Sequence, residues 1–179
     1  MKYLFLVCVM AVLASCGDGK KEPSAEMLKS PMYKARQELI RPVTFYLDMK
    51  DALIQGDAPL AGEAASLMME SLEKGDLFSI EQLEITNVVH LRQETRIARN
   101  QVGLDSLRAS FSRISAALVP ILLETGAPEY TLYVLHCPMA IGEGGARWVS
   151  RGKKVENPYF GEEMLHCGSV EGMIGTREY

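Results

Sequence analysis

The sequence has no tract of five or more basic residues, and its 19 Lys+Arg against 23 Asp+Glu give a net charge of −4. Nucleic acid, whose phosphates call for clustered cations, is excluded as a partner. Also missing are a glycine-rich phosphate loop ahead of a helix, a serine nucleophile elbow, a His-Glu-x-x-His zinc signature and a Cys-x-x-Cys redox pair. Enzymatic function is not expected. No apolar run reaches the roughly 20 residues that span a bilayer as a helix, and no internal repeat or low-complexity segment is visible. Histidine is scarce, with three in 179 residues, whereas methionine is plentiful with ten. The length suits one domain, and 47% hydrophobic with 23% charged residues suits a folded one.

The first residues set the compartment. One lysine, an apolar run from Leu4 to Leu13 and the small residues Ala14-Ser15 ahead of Cys16 have the order of a secretory signal with a cleavage point. Leu13-Ala14-Ser15-Cys16 resembles the lipobox of bacterial lipoproteins, which implies removal of residues 1–15 and acylation of Cys16. Cleavage would leave three Cys and eight Met. The expected location is the cell envelope, lipid-anchored and facing the periplasm, with the membrane reached through that anchor. Residues 16–30 are poor in bulky apolar side chains and are expected to form a flexible tether, leaving 31–179 as a single domain.

The expected fold is mainly α: an antiparallel bundle of about four helices over 31–127, with a short strand and an irregular Cys/His/Met module over 128–179. Pro42 sits near a helix start, and Val43, Tyr46, Leu47, Leu53 and Ile54 form a stripe that stops at Gly56. Asp57-Ala58-Pro59 opens a second helix with Leu60, Ala64, Leu67, Met68 and Leu72 as its buried face, ended by a left-handed Gly75. Ser79-Ile80-Glu81-Gln82 has the spacing of a capping box for a third helix that runs to about Asn100. Leu104, Leu107, Phe111, Ile114, Leu118 and Ile121 mark a fourth, with Pro120 as a kink and Gly126 as the stop. The mixed charges of Arg92–Arg99 and the isolated His90 suit a solvated helix face. Beyond Pro128 the aromatic and β-branched run Tyr130–Leu135 predicts one strand, followed by a glycine-rich stretch that includes a turn at Gly142-Glu143-Gly144-Gly145.

The C-terminal module holds the chemical signal. Each of its cysteines follows a histidine and has a methionine nearby: His136-Cys137-Pro138-Met139 and Met164-Leu165-His166-Cys167. Thiolate and thioether sulfurs select Cu(I) and related soft ions, and no acidic cluster competes for a hard cation. An extended segment would put Cys137 and Met139 on one side, and a helical turn would bring Met164 near Cys167. Asn157-Pro158 and Gly161 are expected to shape a turn that aims the second arm. Trp148, Tyr159 and Phe160 suit an apolar wall or an ordinary aromatic mini-core. A disulfide between Cys137 and Cys167 is the rival to a metal site, since an envelope protein meets oxidising conditions. Its loop closure would contribute roughly 3 to 4 kcal/mol in the chain-entropy model.

His136-Cys137-Pro138-Met139-Ala140, Ala146-Arg147-Trp148-Val149-Ser150, Asn157-Pro158-Tyr159-Phe160-Gly161 and Met164-Leu165-His166-Cys167-Gly168 together resemble an uncharacterised bacterial lipoprotein domain family. Its members occur alone and as extensions of copper/silver-efflux membrane-fusion adaptors. The resemblance runs roughly from Val43 to Met173 and takes in Arg113 and Ser115. It implies a heavy-metal role carried by Cys137, Met139, Met164 and Cys167, with His136 and His166 as auxiliaries, copper as Cu(I), and an efflux adaptor as partner. The alternative is a disulfide-stapled, non-enzymatic interaction module of an envelope complex.

Overall fold

The structure is a computed structural model that describes residues 24–176; the signal segment and Cys16 lie outside the described residues. Four helices and a three-stranded sheet follow one another along the chain: α1 Pro31–Gln55, α2 Ala58–Lys74, α3 Ile85–Ala98, α4 Leu104–Thr125, β1 Leu132–Cys137, β2 Ala146–Ser150 and β3 Ser169–Ile174. The protein is mainly α, as the helical periodicity predicts.

The helix α1 starts at Pro31, well before Pro42, which lies buried inside it. Ala35 and Leu39 stand one turn apart in the stripe that continues through Val43, Tyr46 and Leu53, and all five are buried. That packing carries the helix through a residue that lacks an N–H and costs one ladder bond. Gly56 ends the helix in the left-handed conformation (φ 71°), and the Asp57 carboxylate caps α2 by accepting the Leu60 amide at 2.9 Å. The short Gly56-Asp57 link turns the chain straight back, so α1 and α2 pack side by side.

Two boundary expectations are corrected. Gly75 ends α2 in an extended conformation (φ −82°) rather than a left-handed one; a Cβ there would lie 2.7 Å from Glu38 Oε2. Ser79 closes a short 3-10 turn, its hydroxyl donating to the Asp76 carbonyl at 2.9 Å, so it caps no helix. The third helix starts later, where the Glu84 carboxylate accepts the Thr86 amide at 3.2 Å. His90 is exposed on α3, whereas Leu91, Thr95 and Ala98 on the same helix are buried.

The sheet is antiparallel in the order β2-β1-β3. The sequence predicts one strand, and among the described residues three are present. The first begins at Leu132 rather than Tyr130 and ends at Cys137. The strand β2 packs on α4, and its outer edge is closed by two tyrosines. The Val149 amide donates to Tyr46 Oη at 3.2 Å, and Tyr159 Oη donates to the Arg147 carbonyl. Those backbone groups point away from β1, where an unprotected edge would invite another strand. Trp148 meets Tyr159 edge-on with ring centroids 5.9 Å apart, Tyr159 meets Phe111 at 5.9 Å, and Phe111 stacks on Tyr46 at 4.7 Å. Trp148 and Tyr159 are thus part of the main core. Phe160, half-buried, packs against it.

Candidate functional site

Cys137 is the last residue of β1 and is fully buried. Cys167 lies just ahead of β3 and is half-buried. Because β3 runs antiparallel to β1 with His136 opposite Ser169, the two cysteines come together at one end of the sheet. Both are free thiols. Interaction with the neighbouring Cys137 side chain, followed by burial and the charge of Cys137, raises the Cys167 pKa above its ordinary value, since each favours the neutral thiol.

The arm carrying Cys167 is held by Asn157, which is fully buried. Its amide donates to the Leu165 carbonyl at 2.8 Å, its Nδ2 donates to the Cys167 carbonyl at 2.9 Å, and its Oδ1 accepts the Tyr159 amide at 2.8 Å. The turn expected at Asn157-Pro158 is therefore present, and it fixes the backbone of Cys167 directly. Gly161 opens a 3-10 turn, Gly161–Met164, with φ +57°. A Cβ there would sit 2.8 Å from Arg108 Nη2 and 3.1 Å from the Ile54 carbonyl oxygen, so only glycine fits so close to the end of α1.

The methionines are placed less tightly. Cys137 ends its strand and Pro138-Met139 form a turn, so the alternation that would align Met139 with Cys137 does not continue. Met139 is 64% exposed. Met164 is half-buried, and its carbonyl accepts the Cys167 amide at 3.0 Å, the turn-like spacing expected for this pair.

The histidines are already engaged. His136 Nε2 is 2.9 Å from the Gly144 carbonyl oxygen and Nδ1 is 3.1 Å from Glu171 Oε1. Glu171 in turn accepts from Arg147 Nε at 2.6 Å. These three side chains come from β1, β2 and β3 and share the sheet face opposite to Cys137, since side chains alternate along a strand. With both ring nitrogens committed and its side chain on that face, His136 does not fit a ligand set with Cys137. His166 is exposed, with Nδ1 3.0 Å from the Val155 carbonyl oxygen. The sequence places Arg147 in a motif but gives no role to it or to Glu171, since their pairing arises only from strand register.

Among the described residues no group of three or more His, Cys, Asp and Glu side chains is arranged to hold a metal. A closed four-ligand zinc site needs such a group.

Residues 43–129 match the model of a family described as a protein of unknown function, DUF3347. The likeness spans the second half of α1 and all of α2, α3 and α4, and it stops before β1, so Cys137 and Cys167 lie beyond it. Within the matched stretch, Arg113 pairs with Glu94 at 2.6 Å and Ser115 shares a 2.7 Å hydrogen bond with Tyr46. No curated protein and no solved structure matches the chain.

Proposed function

We propose that this chain is an envelope lipoprotein that captures a soft metal ion, Cu(I) by its ligand chemistry, and hands it to an efflux system. The observation that carries the reading is the meeting of Cys137 and Cys167, distant in sequence, as free thiols at one end of the sheet. One is buried and the other half-exposed, which suits an ion that arrives at Cys167 and is completed by Cys137. Met139 and Met164 are the thioethers within reach along the chain. The efflux partner and the lipid anchor rest on the motif resemblance and on the Leu13–Cys16 segment. Copper is cargo here, and the chain supplies two thiols that lose protons as the ion binds.

A competition titration of reduced protein with Cu(I) tests this. About one ion per chain is expected to bind, since one dithiol is present. The Cys137→Ser, Cys167→Ser double variant should lose it, with helix content measured alongside as the control for folding, because Cys137 belongs to the same buried core as the helices. Replacing Met139 and Met164 by Leu should weaken binding without a comparable loss of fold. Equal, weak affinities for wild type and the double cysteine variant would remove the metal reading.

The same thiol contact favours a second reading, a disulfide-stapled interaction module in an oxidising compartment. Non-reducing peptide mapping of protein prepared from the envelope separates the two. A quantitative Cys137–Cys167 bridge supports the module, and free thiols support the ion site.

A further inference from the structure

We infer that Asn157 is the positioning residue of the thiol pair: it holds Cys167 beside Cys137 before any ion or bridge forms. This role deepens the proposed ion site, and only its use for an ion rests on that reading. Residues 165–168 belong to no strand or helix, so no backbone ladder keeps Cys167 in place. Asn157 does so instead. Besides its bonds to Leu165, Cys167 and Tyr159, its carbonyl accepts the Gly161 amide at 3.0 Å, so backbone and side chain clasp the arm together. Tyr159, oriented by Asn157, reaches on to the Arg147 carbonyl of β2, and β2 lies beside β1 with Ala146 opposite Cys137. A short chain of hydrogen bonds thus ties the arm to the sheet that carries the other thiol.

The other side of the arm is fixed by close contact. Gly168 follows Cys167, and a Cβ there would lie 2.8 Å from the His136 carbonyl oxygen and 3.0 Å from Trp148 Cη2, so the arm sits against β1 where only hydrogen fits. Cys167 therefore stands between two fixed points: its own carbonyl on Asn157, and the next residue on the strand that ends in Cys137. It packs against the core to which Cys137 belongs. Ordering the arm in advance removes that cost from the step in which both sulfurs close on an ion or on each other. Without Asn157 the reduced arm would gain freedom, and each closure would have to take it away again.

The test is equilibration of metal-free protein with glutathione, read by acid quenching and peptide mass mapping. Closing the bridge passes two electrons and two protons from the Cys137 and Cys167 thiols to one oxidised glutathione, which leaves as two reduced ones. The glutathione ratio at half-bridging therefore reports how readily the two thiols meet. In Asn157→Ala the bridge should be favoured about tenfold less, the effect of losing one buried hydrogen bond, which raises the potential by about 30 mV. Asn157→Ser keeps an acceptor for the Tyr159 amide but cannot reach the Cys167 carbonyl; it should shift the ratio in the same direction, and it carries the test if the alanine variant does not fold. A substitution that weakens the open and bridged forms equally leaves the ratio where it was. Tyr46→Phe, which loosens the core away from the arm, should do so. An unchanged ratio in the Asn157 variants, or an equal shift in Tyr46→Phe, overturns the positioning role, as does a wild type that forms no bridge at any glutathione ratio. If the ratio moves as expected while wild type binds no Cu(I), the capture reading fails and the positioning role stands.

Discussion

Cys167 is the more exposed member of the thiol pair, yet its pKa is raised, first by its interaction with the Cys137 side chain and then by burial. The thiolate is the nucleophile, so this position should alkylate more slowly at neutral pH than an unhindered cysteine of the same exposure. The sign follows from linkage: a folded-state pKa above the unfolded one gives stabilisation that is complete below the ordinary thiol range and is lost as pH climbs through the raised value. Cys137→Ala should bring Cys167 alkylation back towards that of a free thiol, with the two rates converging on the alkaline side. A pH series of alkylation rates for both proteins, read at Cys167, checks this; identical profiles would mean that Cys137 is not the cause. The same residue shows what the sequence could and could not disclose. The two His-Cys pairs with nearby methionines mark the site at once. The commitment of His136 to Gly144 and Glu171 depends on which strand lies beside which, and nothing in the local sequence encodes that.

Among the elements, the β1–β2 loop is the most demanding of its residues. Gly144 and Gly145 both have positive φ, at 90° and 73°, but only Gly145 is crowded: a Cβ there would fall on the Cys137 carbonyl oxygen and 2.5 Å from Pro138 Cα, while one on Gly144 meets nothing within 4 Å. Gly144→Ala should therefore cost about 1–2 kcal/mol, the left-handed penalty alone. Gly145→Ala should cost distinctly more and shift the amide resonances of Cys137 and Ala146. Denaturant midpoints for the two variants measure the difference, and equal values would show that the close approach is not maintained in solution. Helices were legible because apolar residues recur at three- and four-residue steps over many turns. Where one signal was read too literally, as with Pro42, a buried stripe on both sides of the proline outweighed its lost hydrogen bond. All of β3 but Gly172 and Ile174 is exposed, so no run of buried positions announces it.

At the scale of the whole molecule, Tyr46 bolts the two layers together. It stands in α1, shares its hydroxyl with Ser115 of α4 and accepts the Val149 amide of β2. Burial pushes its phenol well above the ordinary range, so it stays a neutral hydrogen-bonding group at any pH the fold survives. Tyr46→Phe keeps the ring stacked on Phe111 but leaves the Val149 amide and Ser115 unsatisfied. The expected cost is about 1–3 kcal/mol, the penalty for an orphaned buried polar group. Protection of the Val149 amide from hydrogen exchange should fall more than that of α2 amides, and a uniform loss would argue against Tyr46 as the local tie.

The helix α1 also sets a length. Its 25 residues rise roughly 37 Å at about 1.5 Å per residue. The cysteine end of the molecule is attached towards its far end, through Tyr46 to Val149 and through Gly161 against the Leu53 and Ile54 carbonyls. A chain anchored by its amino terminus would begin at the opposite end of this strut. The tether expected over 16–30 would join such an anchor to the strut, and the strut would hold the thiols most of its own length away from the tether's end.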